Sequence, residues 1–482
     1  MSRGRKPYPV CAPLLFLLFP MSLAGQTTLP GSLSTDTFSL QRIFTGGRFS
    51  GQIRQFSMFT DNAPGLSDYH AIAAGASLHY ETRRWRGFAL AMGGGFVTDL
   101  LSSDFTRPDP VTGAYDRYDA GLYEVLELDN KEFLSRLEDL NIGYCWSHNR
   151  LVLGKQTLKT PFVNPQDGRM NASLFEGLYG YFGQGRRWHV EGGWLWKAAP
   201  RSTSRWFDIA ESIGVYSQGV TDGGQKAAYR NEVRSAGLLV ANTRFTHRRG
   251  NFDFWNYYLD NVLNTAFLQW TTASATEPQA SPHWDFGVQI IRQDAVGSGG
   301  NADPAKTYAP EGMRSWTFSG FAAWSKAGTQ FRVNGTRITG DGRLLFPREW
   351  GREPLFTFLP RERNEGLGDV WAVSGQFSRR LRAAPLVYEL GAGYYRLPDV
   401  KNYRLNKYGL PSYAQINLDV KYRFPGRLKG LEAQLLAVWK TNAGDLYGDE
   451  RYRINKVDMA NYNLIFNYHF DSGENAEDGK KK

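Results

Sequence analysis

Two oppositely charged side chains, Asp167 and Arg169, lie two residues apart in a stretch that predicts a loop. Set across a narrow passage, they would create a transverse field that orients zwitterions. Set on one loop as partners, they would form an ion pair that pins it, and both readings stay open. A second set, Arg54, Arg332, Arg380, Lys421, Arg423 and Lys440, falls on one face of alternating segments. In a wet lumen such cations lower the cost of dehydrating a carboxylate. Balanced by Glu191, Glu389 and Asp419, they would be ordinary lumen charge. The segment 340–366 adds Arg343, Arg348, Arg352 and Glu353 on a loop that folds either inward or outside as a cap. Hydrolysis needs a nucleophile, a His and a carboxylate at one height, or paired carboxylates. Seven His are present and none has an obvious nucleophile beside it. His189 and Glu191 share a strand face, but a third metal ligand is not visible. Gly93 to Gly95 sits within a strand pattern and reads as close packing, not as a phosphate cradle. The expectation is no catalytic residue, no metal and no cofactor.

The elements that carry these side chains have period two. From Ala414 to Phe424, Ala414, Ile416, Leu418, Val420, Tyr422 and Phe424 share one face. Tyr413, Gln415, Asn417, Asp419, Lys421 and Arg423 share the other. A lipid-spanning strand needs about 9–11 such residues. Trp284, Phe286, Val288 and Ile290 oppose Asp285 and Gln289, and Trp371, Val373 and Phe377 oppose Ser374, Gln376 and Arg380. Tyr462, Leu464, Phe466, Tyr468 and Phe470 form the outer face of a final strand. Aromatic residues begin or end many outer faces, as at the two boundaries of a bilayer.

Composition agrees. The 482 residues are 14% aromatic with 52 Gly, and mean hydropathy is only -0.45. Helical membrane proteins need spans of about 20 apolar residues, and no such run follows residue 25. Before it, Arg3, Arg5 and Lys6 precede an apolar stretch from Ala12 to Leu23, then Ala24 and Gly25. This predicts a secretory signal peptide over 1–25. Its removal lowers the net charge of +10 by those three cations and leaves Cys145 as the single cysteine. An exported chain without a long internal basic run is not a nucleic-acid binder.

Strands that alternate must close, because backbone groups have no water in lipid. The mature length, at about 25 residues per strand and connection, gives on the order of 16–18 strands. Side chains cannot fill a cylinder that wide. A plug domain is absent before the first strand, so loops must set the constriction.

One stretch is recognisable. Residues 154–170 read GKQTLKTPFVNPQDGRM, followed by Phe175-Glu176-Gly177. This resembles the OprD-type porins, the outer-membrane carboxylate channels. GQIRQ (51–55), FWNYYLDN (254–261), FPREWGREPLFT (346–357) and NKYGLPSYAQINLDVKY (406–422) are similar too. The resemblance implies eighteen strands, loops folded into the lumen and a ladder of basic wall residues. It assigns Arg54 to the first strand and Lys155, Asp167 and Arg169 to the inward loop at the constriction. The segment 431–442 departs from it, offering Gln434 and Lys440 where some members carry several arginines.

The expectation is thus an all-β, transmembrane antiparallel barrel of about 18 strands with long extracellular loops, one or two of them in the lumen. Its parts are a signal peptide (1–25), a short leader (26–47), the barrel (48–470) and a polar tail (471–482). It would sit in a Gram-negative outer membrane and pass small hydrophilic solutes such as amino acids, small carboxylates and ions. Partners would be outer-membrane lipid, those solutes and further copies of the chain. A barrel hydrolase or a closed adhesin barrel are the alternatives.

Overall fold

The computed structural model describes residues 40–166, 168–272, 281–361, 363–381 and 384–472. Asp167, the signal peptide, most of the leader and most of the tail therefore lie outside the described residues. The strands run in chain order as β1 Arg48–Asp61, β2 Tyr69–Glu81, β3 Phe88–Ser102, β4 Leu134–Trp146, β5 Asn149–Gln156 and β6 Leu174–Phe182. After β7 Trp188–Ala199 and the two-residue β8 Phe207–Asp208 come β9 Leu238–His247, β10 Gly250–Leu259, β11 Leu263–Thr271, β12 His283–Ala295 and β13 Arg314–Lys326. The chain finishes with β14 Thr329–Ile338, β15 Val370–Arg380, β16 Leu386–Arg396, β17 Tyr413–Arg423, β18 Leu431–Asn442 and β19 Met459–Asp471. Each strand pairs antiparallel with the next, except that β7 passes over β8 to pair with β9. The last strand pairs with the first, Arg54 opposite Asn467. The result is a closed eighteen-stranded antiparallel barrel with β8 as an extra strand on the end of β7.

Alternation decides which way each side chain points. Ile53, Leu90, Phe254, Val288, Val333, Val373 and Ile416 are large, apolar and exposed. Asn334, Ser374, Gln415, Asn417, Asn461, Asn463 and Asn467 on the same strands or their neighbours are buried. Apolar surface outside and polar groups inside suit a cylinder bathed in lipid. Aromatic pairs, such as Trp188 with Phe245 at 4.6 Å and Phe331 with Phe377 at 4.8 Å, mark its edges.

Connections on one end are short. Ala327 and Gly328, at φ 50° and 85°, make the two-residue turn that right-twisted hairpins favour. At the other end segments 103–133, 157–173, 200–237, 339–369 and 397–412 are long, and they turn inward. The barrel wall prepares for this. On β10 and β11 the inward residues are Trp255, Tyr257, Leu259, Leu263 and Phe267, all buried. Phe162 of the 157–173 loop packs on Tyr257 (5.4 Å) and on Phe346 (4.7 Å) of the 339–369 loop. One sector of the lumen is therefore filled by an apolar wedge of loop. Opposite it, β17 and β19 keep polar inward residues such as Gln415, Asn417, Asn461, Asn463 and Asn467, while Phe56, Met58, Tyr69 and Ala71 of β1 and β2 form a second apolar cluster with Phe105 and Leu122 of the 103–133 loop.

Candidate functional site

The 339–369 loop follows the inner wall because the wall offers it hydrogen-bonding partners. Gln293 on β12 donates to the Leu345 carbonyl (2.6 Å) and accepts from the Leu345 amide (2.8 Å). Gln289 donates to the Pro354 carbonyl, and Ser319 accepts from the Phe356 amide. Gln415 on β17 donates to the Pro360 carbonyl (2.8 Å). Arg361 then reaches Asn461 (2.7 Å) and Asn463 on β19. A loop with buried backbone needs such partners at each step. The sequence left inward and outward paths open; the lumen-facing amides settle the inward one.

The 157–173 loop meets this belt. Asn164 donates its amide to the Trp350 carbonyl (3.1 Å), and Ser173 donates to that of Glu349 (2.9 Å). Arg136 on β4 donates to the carbonyls of Ala172, Pro200 and Thr203. Arg54 on β1 holds the tip, donating to the Arg169 carbonyl at 2.6 Å and to Asn467 at 2.7 Å.

Where these loops converge a cavity of about 810 Å³ opens toward the long-loop end. Arg169, Arg201, Arg348, Arg361, Arg363 and Lys407 line it. Across the same 165–172 segment lies a second chamber of about 250 Å³, lined among others by Arg54, His79, Glu138 and Met170. Arg169 is buried with its guanidinium against Gly121, where an added Cβ would come within 2.7 Å of Nε. Among the described residues, no carboxylate forms an ion pair with Arg169, Arg201 or Arg361. Arg348 is paired with Glu365 at 2.6 Å and stacks on Tyr408. Lys407 is buried among the rings of Tyr229 and Tyr308, with Glu365 at 3.9 Å.

The fields of these groups overlap. Burial, then repulsion from Arg361, pulls Arg169 down to about 9. Arg201, Arg361 and Arg363 fall to about 10, again through burial first. Lys407 falls to about 8 through burial, with Arg343 and Arg348 adding to the fall and Glu365 opposing it. On the facing 103–133 loop, burial raises Asp116 and Asp119, and their mutual repulsion raises Asp119 further. Asp119 accepts from Thr60, and Asp116 from the Ala120 amide. A cluster of cations with few counter-charges, in a partly dehydrated passage, attracts oxyanions.

The sequence-derived residues distribute unevenly. Arg169 stands in the cluster, and Arg54 supports it from below. Lys155 does not join them. It is the penultimate residue of β5, opposite exposed Leu140 and Glu176, on the outward row with Leu153. There it pairs with Glu176 and stacks on Trp206. Period two explains the difference: the inward neighbour is Gln156. Arg332 and Lys440 face inward, against Phe321 (3.7 Å) and Tyr413 (4.5 Å). Lys421 lies 3.6 Å from Asp419, whereas Arg380 and Arg423 are exposed at the short-turn rim, Arg423 paired with Glu432. Arg201, Arg361, Arg363 and Lys407 were missed by sequence reasoning because loops carry no period. The signal available was a recurrence of arginine among Pro, Trp and Phe in 346–363. Among the described residues, no three His, Cys, Asp or Glu side chains are grouped to hold a metal.

The closed cylinder and its loop-lined passage have the form of an outer-membrane channel barrel. No protein-family model matches the chain, and no curated protein matches it. Solved structures do. Pseudomonas aeruginosa OccK9 (OpdG) superposes with a TM-score of 0.69 at 15% identity, covering 89% of this chain and 99% of that one. OccK8 (OprE) of the same organism gives 0.67 at 14% with the same coverage. OccAB2 of Acinetobacter baumannii gives 0.68 at 12%, again over 89% and 99%. The chain has the OprD-type fold that its motifs resemble.

Proposed function

We propose that this protein is an outer-membrane channel for passive passage of small hydrophilic solutes, with preference for anions such as small carboxylates. The observation that carries it is the convergence of Arg169, Arg201 and Arg361 on one cavity, without carboxylate partners among the described residues. The second chamber continues the path along the polar sector of the wall. Tyr118, Tyr216, Tyr403 and Tyr408 line the upper cavity and give a ring-shaped solute flat surfaces to stack on. The relative OpdK of Pseudomonas aeruginosa was crystallised with vanillate, so an aromatic carboxylate is an apt probe.

The test is single-channel recording in planar bilayers under a KCl gradient. Ohmic steps with a reversal potential favouring chloride are expected. Arg169→Ala with Arg361→Ala should move that potential toward cations, and vanillate should reduce the current at lower concentration than a neutral aromatic alcohol of equal size. Silence in bilayers, with no swelling of liposomes in small solutes, would turn the proposal toward a closed barrel. Silence accompanied by lipid or peptide hydrolysis would turn it toward an enzyme.

A further inference from the structure

The short-turn end carries a charge pattern that solute passage does not use. The turn 82–87 holds Arg83, Arg84 and Arg86, and the turn 183–187 holds Arg186 and Arg187. Arg248 and Arg249 make up the whole turn between β9 and β10. Arg427 and Lys429 lie in 424–430. No Asp or Glu occurs in any of these four turns. All nine cations are exposed. Arg83, Arg84, Arg187, Arg248 and Arg249 form no ion pair with a carboxylate among the described residues, and Arg186 meets only His148. Of the acids at strand ends on this rim, Asp471 is engaged by Arg48 and Glu432 by Arg423. The long-loop end differs: there Arg107 pairs with Asp104, Arg451 with Asp449, Arg453 with Glu450, and Lys306 with Glu232.

We propose that the short-turn rim is a binding surface for anionic phospholipid head groups, gathering their phosphates as an annulus around the barrel. Two observations favour lipid over a protein partner. The basic turns are spread round the circumference: in the ring of eighteen strands the β9–β10 and β17–β18 hairpins lie almost opposite, with the β2–β3 hairpin between them. A globular partner needs one contiguous face, whereas a lipid leaflet meets every turn at once. The cations also sit at the depth of the aromatic edge, Arg187 over Phe245 at 4.6 Å and Arg86 over Trp85 at 5.2 Å, which is where head groups lie. Guanidinium is suited to bidentate phosphate contact. Each basic residue near an anionic surface raises binding roughly fivefold at moderate salt, and several act together. The inference rests on the barrel lying in a bilayer and is independent of what passes through it.

The test is native mass spectrometry of the full chain released from vesicles of mixed phosphatidylglycerol and phosphatidylcholine. Wild type should retain phosphatidylglycerol over phosphatidylcholine by at least about fivefold, with the ratio falling as salt shortens the screening length. A variant with Arg83, Arg84, Arg186, Arg187, Arg248 and Arg249 each changed to Gln should lose the preference and keep its single-channel conductance, which certifies the fold. The matching six-site Arg→Lys variant should keep most of it. Equal retention of the two lipids by wild type, or an undiminished ratio in the Gln variant, overturns the proposal. So does salt-sensitive capture of a poly-glutamate peptide without any lipid preference, which would point to an acidic protein instead.

Discussion

Arg169 is held at a cost. A buried cation with no carboxylate partner among the described residues gives up hydration that its few hydrogen bonds, such as that to the Gly168 carbonyl, only partly return. Its replacement by Met should leave the barrel equally stable or stabilise it by about 1–3 kcal/mol, measured by urea-induced unfolding in detergent. The same variant should lose anion preference in reversal-potential measurements, separating a role in passage from a role in folding. Lys407 makes a different prediction. Its pKa lies near 8 in the fold against 10.5 when unfolded. Below 8 both states carry the proton, and the cavity has its full charge. Between 8 and 10.5 the unfolded chain binds more protons, so stability rises with pH across that window. The cavity loses one positive charge over the same rise. Anion preference should therefore weaken between pH 7 and 9, and Lys407→Met should remove that step. A pH-independent reversal potential in wild type would contradict the assignment.

At the scale of elements, the 339–369 loop depends on amides contributed by the wall. Gln293→Leu would strip both the amide and the carbonyl of Leu345 of their partners and cost about 1–3 kcal/mol. The urea midpoint should fall, and open-channel current noise should rise as the loop loosens. This dependence also explains what the sequence could and could not reveal. Strands such as Tyr413–Arg423 were legible because lipid and water impose strict alternation. The segment 254–261 was recognisable only as a motif, since Trp255, Tyr257 and Leu259 are apolar and yet point inward. Alternation between lipid and a loop wedge leaves both faces apolar, so no period marks the face. Arg361 and Arg363 were invisible for a related reason. Their position is fixed by Asn461, Asn463 and Gln166, a hundred residues or more away. Lys155, which the resemblance assigns to the inward loop, is instead still part of β5, where alternation turns it outward and Gln156 inward.

At the scale of the whole molecule, the proposed function makes the loops, and not the eighteen strands, set the width of the passage. Deletion of 348–363 should raise single-channel conductance at least about twofold and abolish anion preference, while the cylinder still resists SDS at room temperature. Unchanged conductance would show that the current runs elsewhere. The 157–173 loop carries a mechanical consequence as well. It is bonded to Arg54 on β1 and packed on Tyr257 of β10, strands on nearly opposite sides of the ring. Such a spoke works as a cross-brace: squeezing the hoop along that diameter compresses a tightly packed strut. Thickening the bilayer or raising its lateral pressure should accordingly leave the bore's calibre almost untouched, where an unbraced tube of the same girth would ovalise.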